Sequence, residues 1–179
     1  MKTNLKSIYF FLLLAAFLVS CATSRMTVTG NHENLRRYDN PDINEIIISG
    51  WNHVYRENYE WGGMDFTRLI QKKYIDDDIL FGAGIACYYQ GIFQEAEKYF
   101  SRAIDKNPDH FEAVYYRART YLNIGKKALA ERDFQRILDL KYTEPLVCGL
   151  YFAGNDIASE NMLKLRKDEA RRYLEDGTP

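Results

Sequence analysis

The chain has 179 residues, 46% of them apolar and 27% charged, a balance that suits one globular domain. A formal charge of −1 and a pI near 6.3 leave no basic excess. That excludes the charge footprint of a nucleic-acid binder, or of a domain drawn by charge to an anionic membrane.

At the N-terminus, Lys2 and Lys6 give a positive start to the apolar run Ile8–Val19. A helix needs about 20 residues to cross ~30 Å of hydrocarbon, so this run is too short to span and reads as the core of a signal peptide. Its end, Leu18-Val19-Ser20-Cys21, resembles the lipobox of bacterial lipoproteins. The resemblance implies cleavage after Ser20, making 1–20 a signal peptide, and lipidation of Cys21. Several buried acyl chains make such attachment stable, at about 0.8 kcal/mol per methylene. The same resemblance, with Ala22 where inner-membrane retention asks for aspartate, implies an outer-membrane anchor facing the periplasm. Surface display, an ordinary secretory signal and an uncleaved anchor are the other readings. Residues 21–40 follow as a tether, since Ala22–Asp39 is polar and almost free of large aliphatic side chains.

Asn40-Pro41 marks a helix start, with proline at the position whose missing N–H costs nothing. Further on, the stretch Asp77–Tyr142 nearly repeats itself after 34 residues. Gly84 is matched by Ala118, Gly91 by Gly125, Ala96 by Ala130 and Phe100 by Phe134. Such a period is that of a helix–turn–helix unit. Small residues at Gly84 and Ala96 let facing helices approach, with Phe100 and Tyr121 filling the seam. Gly91 and Gly125 punctuate the turn inside each hairpin. Asn107-Pro108 ends a helix, and Asp109-His110-Phe111-Glu112 reads as a capping box for the next. Asp76, Asp77 and Asp78 precede a helix, and capping is preferred there to a metal site because no further ligand stands at a fitting spacing.

These residues resemble the tetratricopeptide repeat (TPR). Its pattern falls on Leu80, Ala83-Gly84, Cys87, Ala96, Phe100, Ala103 and Pro108 in residues 77–110, and on Val114, Ala118, Tyr121, Ala130, Phe134 and Ile137 in 111–144. The resemblance implies an all-α fold, a short α-solenoid of antiparallel helix hairpins. One period back, 41–76 is a degenerate copy, with Ile46, Gly50, Phe66 and Leu69 in place but Gly62 for the alanine and Tyr74 for the proline. After Leu140 the register breaks. Residues 145–179 hold a helix opened by Thr143-Glu144-Pro145, then an amphipathic stretch Glu160–Glu175 with Leu163, Ala170 and Leu174. Its charges sit at i,i+4 as Lys164/Asp168, Asp168/Arg172 and Arg171/Glu175. It is either a shortened repeat or the capping helix that solenoids need, and the capping role is favoured.

No catalytic set is present. His32, His53 and His110 stand alone, and no phosphate loop, nucleophile elbow or HExxH occurs. No metal, no cofactor and no enzymatic activity are expected. Cys87 is expected as a small buried apolar residue, and a bond to Cys148 is disfavoured because their helices stand two hairpins apart.

The TPR resemblance further implies a concave groove lined by the first helix of each hairpin. Carried over position by position, it takes in Trp51 and Tyr55, then Phe81, Ile85, Tyr88 and Tyr89, then Tyr115, Tyr116, Arg119 and Asn123. Tyr, Trp and Arg are the types enriched in binding hot spots. The clamp that grips chaperone C-termini in some TPR domains is not expected, since its early positions hold Phe81 and Ile85. The expected function is a membrane-anchored protein–protein adaptor or assembly factor of the bacterial cell envelope. It would bind an envelope protein or peptide, the membrane through its lipid, and no nucleic acid. The alternatives are a structural subunit using its convex face or C-terminal helix, and a glycan-binding module or enzyme on the aromatic face.

Overall fold

The computed structural model describes residues 38–141 and 156–177, with side chains of the last helix from Glu160. The signal peptide, Cys21, most of the tether, the helix opening at Thr143-Glu144-Pro145, and Cys148 lie outside the described residues. The described residues form seven helices and no strand: α1 (Pro41–Tyr55), α2 (Tyr59–Gln71), α3 (Asp77–Tyr89), α4 (Phe93–Lys106), α5 (Phe111–Asn123), α6 (Lys127–Asp139) and α7 (Asp156–Asp176). None of these helices is long and apolar enough to cross a membrane.

Each helix packs on the next in sequence, so α1–α2, α3–α4 and α5–α6 are antiparallel hairpins stacked side by side. The first helices also touch across hairpins, α1 with α3 and α3 with α5, whereas α2 and α4 do not meet. First helices therefore form a tight inner layer and second helices splay outward. α7 packs on α6 and reaches α5, the place that a first helix of a fourth hairpin would take. The expected solenoid of hairpins with a closing helix is what the chain forms.

Helix faces follow the apolar spacing. In α4, Ala96, Phe100, Ala103 and Ile104 are buried as one stripe, and in α6 so are Ala130, Phe134 and Ile137. α3, enclosed by neighbours, is buried without a break from Asp78 to Ala86. Close approach explains its glycines: a Cβ on Gly84 would meet Phe100 Cε1 at 2.5 Å, and one on Gly82 would meet Phe66 Cζ at 2.4 Å.

The three hairpin turns close alike. Backbone N–H groups of Asn58, Ile92 and Lys126 donate to the carbonyls of His53, Cys87 and Tyr121 at 2.8–2.9 Å. Each turn passes through a left-handed residue, Gly91 at φ +75° and Gly125 at φ +74°, with Glu57 at φ 60° in the first copy. The first hairpin holds the same backbone turn with a residue other than glycine.

Helix starts are as expected in two cases and different in one. Asn40 Oδ1 accepts from the Asp42 N–H at 3.0 Å, and Asp76 Oδ1 from the Ile79 N–H at 2.7 Å. Only Asp76 of the aspartate triplet caps in this way. Asp77 accepts from Asn107 Nδ2 and Asp78 from the Trp51 indole. At α5 the cap is His110, whose Nδ1 accepts from the Ala113 N–H at 3.2 Å. The capping box expected on Asp109 and Glu112 does not form, because Glu112 turns inward to an ion pair.

Candidate functional site

The residues expected along a groove lie on the first helices α1, α3 and α5, but at three depths. Trp51, Phe81 and Ile85 are completely buried. Trp51 Nε1 donates to Asp78 Oδ2 at 3.0 Å, and the indole meets Phe66 edge-on at 5.1 Å between ring centroids. Phe81 lies against Phe100 at 5.9 Å and His110 at 4.6 Å. The cause is the contact between first helices, which points these middle positions at the neighbouring helix rather than at solvent. They hold the wall together and are out of a ligand's reach.

Tyr115 and Tyr116 are also buried, the latter 7% exposed. Part of their cover is α7. Arg166 lies 4.1 Å over the Tyr115 ring and donates through Nε to both oxygens of the fully buried Glu112, at 3.1 and 3.2 Å. Its other arm reaches Glu169 at 2.9 Å. Burial pushes the Glu112 carboxyl up to about 7, against the opposing pull of Arg166. Burial also works against the Arg166 charge, but Glu112 and Glu169 more than offset it and hold the guanidinium protonated. Burial raises the hydroxyls of Tyr115 and Tyr116, so both stay neutral donors.

What remains accessible is a ledge at the C-terminal ends of the first helices. Tyr55, Tyr89 and Asn123 are exposed, each 34 residues from the next, and Tyr88 and Arg119 are half-buried beside them. Tyr89, 49% exposed, stacks on Tyr59 with centroids 4.7 Å apart and planes 11° apart. Its hydroxyl lies 3.3 Å from that of Tyr116. Tyr88 meets the Tyr116 ring edge-on at 5.5 Å. Arg119 donates to the Tyr115 hydroxyl at 3.2 Å, its guanidinium 5.8 Å from that ring, with no carboxylate partner among the described residues. Asn123 Nδ2 is turned back onto the Arg119 carbonyl at 2.8 Å.

Two contributors were missed by position counting. Tyr59 opens a second helix, outside the positions credited to the groove; the aromatic Phe93 at the equivalent place in the next repeat is the signal that pointed there. Arg166 belongs to α7, where no repeat register applies. Among the described residues no group of three His, Cys, Asp or Glu is placed to hold a metal. The ledge offers ring faces, hydroxyls and the Arg119 guanidinium, groups suited to contact with a polar or aromatic partner.

Cys87 is half-buried rather than fully enclosed, and its thiol is raised by burial and then by Glu95. It lines a cleft of about 670 Å³ on the opposite, convex side, between α2 and α4.

A comparison with curated proteins gave no match to the chain. The family model of the tetratricopeptide repeat matches residues 67–145, from within α2 through the whole of α3 to α6. That family is generally a non-catalytic protein-interaction fold. Residues 67–145 are thus similar to tetratricopeptide repeats, and α1–α7 stack as a short all-α solenoid of that type.

Proposed function

We propose that this chain is a lipid-anchored adaptor of a bacterial cell envelope, which holds a peptide or helix of another envelope protein on the tyrosine ledge. Tetratricopeptide repeats suggest a protein-interaction module, and the ledge is the observation that carries the rest. Exposed Tyr55, Tyr89 and Asn123 recur at the repeat period, and Arg119 beside them has no carboxylate partner among the described residues. Tyrosine rings bury apolar area at low entropic cost, and the Arg119 guanidinium gives direction to a polar partner. The anchor rests on Leu18-Val19-Ser20-Cys21 after the apolar run, and the reach on the polar tether. With Ala22 after the cysteine, the outer membrane facing the periplasm is the proposed address.

Photo-crosslinking in living cells tests the ledge. A probe replacing Tyr89 should give a discrete adduct, and a control probe replacing Lys98 on α4 should not. Adducts from Lys98 alone, or from neither, would overturn the ledge as the binding face. The anchor is tested separately by labelling with a radioactive fatty acid. Label should enter the wild-type chain and be lost in Cys21→Ser; equal labelling of both removes the lipid from the reading.

A further inference from the structure

The outer face of α2 does not look like those of its repeat counterparts. Glu60, Trp61, Met64, Arg68 and Gln71 are all exposed and share one side of the helix. Trp61 is 59% exposed and Met64 56%, a large apolar pair in open solvent. The indole leans on His53, with ring centroids 6.3 Å apart, so its orientation is set in advance. One period on, the places of Trp61 and Met64 are taken by Glu95 and Lys98, which form an ion pair at 2.6 Å. Two periods on they are taken by Leu129 and Arg132. The repeat does not require an apolar pair here, and only the first hairpin has one.

The charges around this pair are arranged symmetrically. Glu60 stands four residues before Met64 and Arg68 four residues after, and neither has an ion-pair partner among the described residues. Two such helices laid antiparallel about a two-fold axis at Met64 would set Glu60 of each copy against Arg68 of the other. The same axis would set Met64 against Met64, and Trp61 against Thr67. Thr67 lines the 670 Å³ cleft between α2 and α4, whose floor is Ala83 and Cys87 and whose far wall is Tyr99. An indole from a second copy would therefore arrive at a cleft that the same chain's Trp61 and Met64 also line, over Ala83 and Cys87. A surface that complements itself in this way is what an isologous interface requires.

We propose that α2 is the contact surface of a two-fold dimer of this chain, with Trp61 of each copy seated in the other's α2–α4 cleft. This interface is on the convex side and leaves the ledge free, so the dimer presents two ledges.

Sedimentation of the full chain at roughly 0.1 mM tests this, together with Glu60→Arg and Arg68→Glu. Each single variant faces two like-charged pairs across the axis, and each should weaken dimerisation by about tenfold or more. Mixed in equal amounts, the two variants should dimerise again. Both positions are then basic in one copy and acidic in the other, so each pair across the axis is again of opposite charge. Restored pairing also shows that both variants are folded. A monomeric wild type, a dimer indifferent to both substitutions, or a mixture no more dimeric than its parts would overturn the proposal.

Discussion

Gly82 and Gly84 are neighbours in α3 that serve two different rings. Phe66 and Phe100, which a Cβ at these places would strike at 2.4 and 2.5 Å, are both fully buried and cannot retreat. Gly82→Ala and Gly84→Ala should each lower stability by about 1–3 kcal/mol in urea unfolding. Gly91→Ala is the contrast: nothing lies within 4 Å of its Cβ, and only the left-handed backbone at φ +75° is strained, so about 1 kcal/mol is expected. Glu112 supplies a pH effect. Its folded carboxyl titrates near 7 against an ordinary 4.5, so between those values the folded chain holds a proton that the unfolded chain has released. Stability from this group is therefore complete below the lower value and is lost as pH rises through the upper one. Comparison with Glu112→Gln isolates it. The melting temperature of the wild type relative to the variant should fall from pH 4.5 to 7 and flatten above.

Among the elements, α7 is the one whose role sequence could state only in outline. Its ion pairs form at i,i+3, Arg166–Glu169 and Arg171–Asp168, rather than at the i,i+4 spacings expected. Tyr173 is its buried aromatic, 4.7 Å from the Phe134 ring, while Leu174 is exposed. The hairpins were legible because a 34-residue offset constrains both partners of every contact at once. Arg166 and Glu112 are 54 residues apart across a broken register, and no periodicity joins them. Tyr173→Ala should cost about 3 kcal/mol by emptying a core site. Arg166→Ala leaves Glu112 buried without its cation and raises that carboxyl further. Its penalty in thermal denaturation should accordingly be larger at about pH 8 than at about pH 5.

At the scale of the whole array, the described helices touch only their successive neighbours and adjacent first helices, together with α5–α7. Stability is then nearly a sum over neighbours. Native-state hydrogen exchange of Tyr173→Ala should show protection lost mainly in α5–α7, with α1–α2 the least changed. The same geometry explains how far the site could be read in advance. Repeat positions put Trp51, Phe81, Ile85 and Tyr115 on the first helices, but all four are buried, because which positions see solvent depends on how closely those helices meet. That closeness is a property of the assembled array. Among the expected groove residues, the last position of each first helix, Tyr55, Tyr89 and Asn123, is exposed, with Tyr88 and Arg119 half-buried beside them.

The turn shared by the three hairpins has a consequence for descent. Because residues 53–58, 87–92 and 121–126 close through one bond pattern, a genetic event that copies or deletes one whole 34-residue unit leaves every joint as it was. An insertion or deletion of one residue within a unit rotates all that follows by about 100° on a helix and breaks the seam. Left-handed Glu57 shows that the turn also closes on a residue other than glycine. Lineages of this chain should therefore differ by whole repeats and by substitutions, with gaps confined to the stretch between α6 and α7.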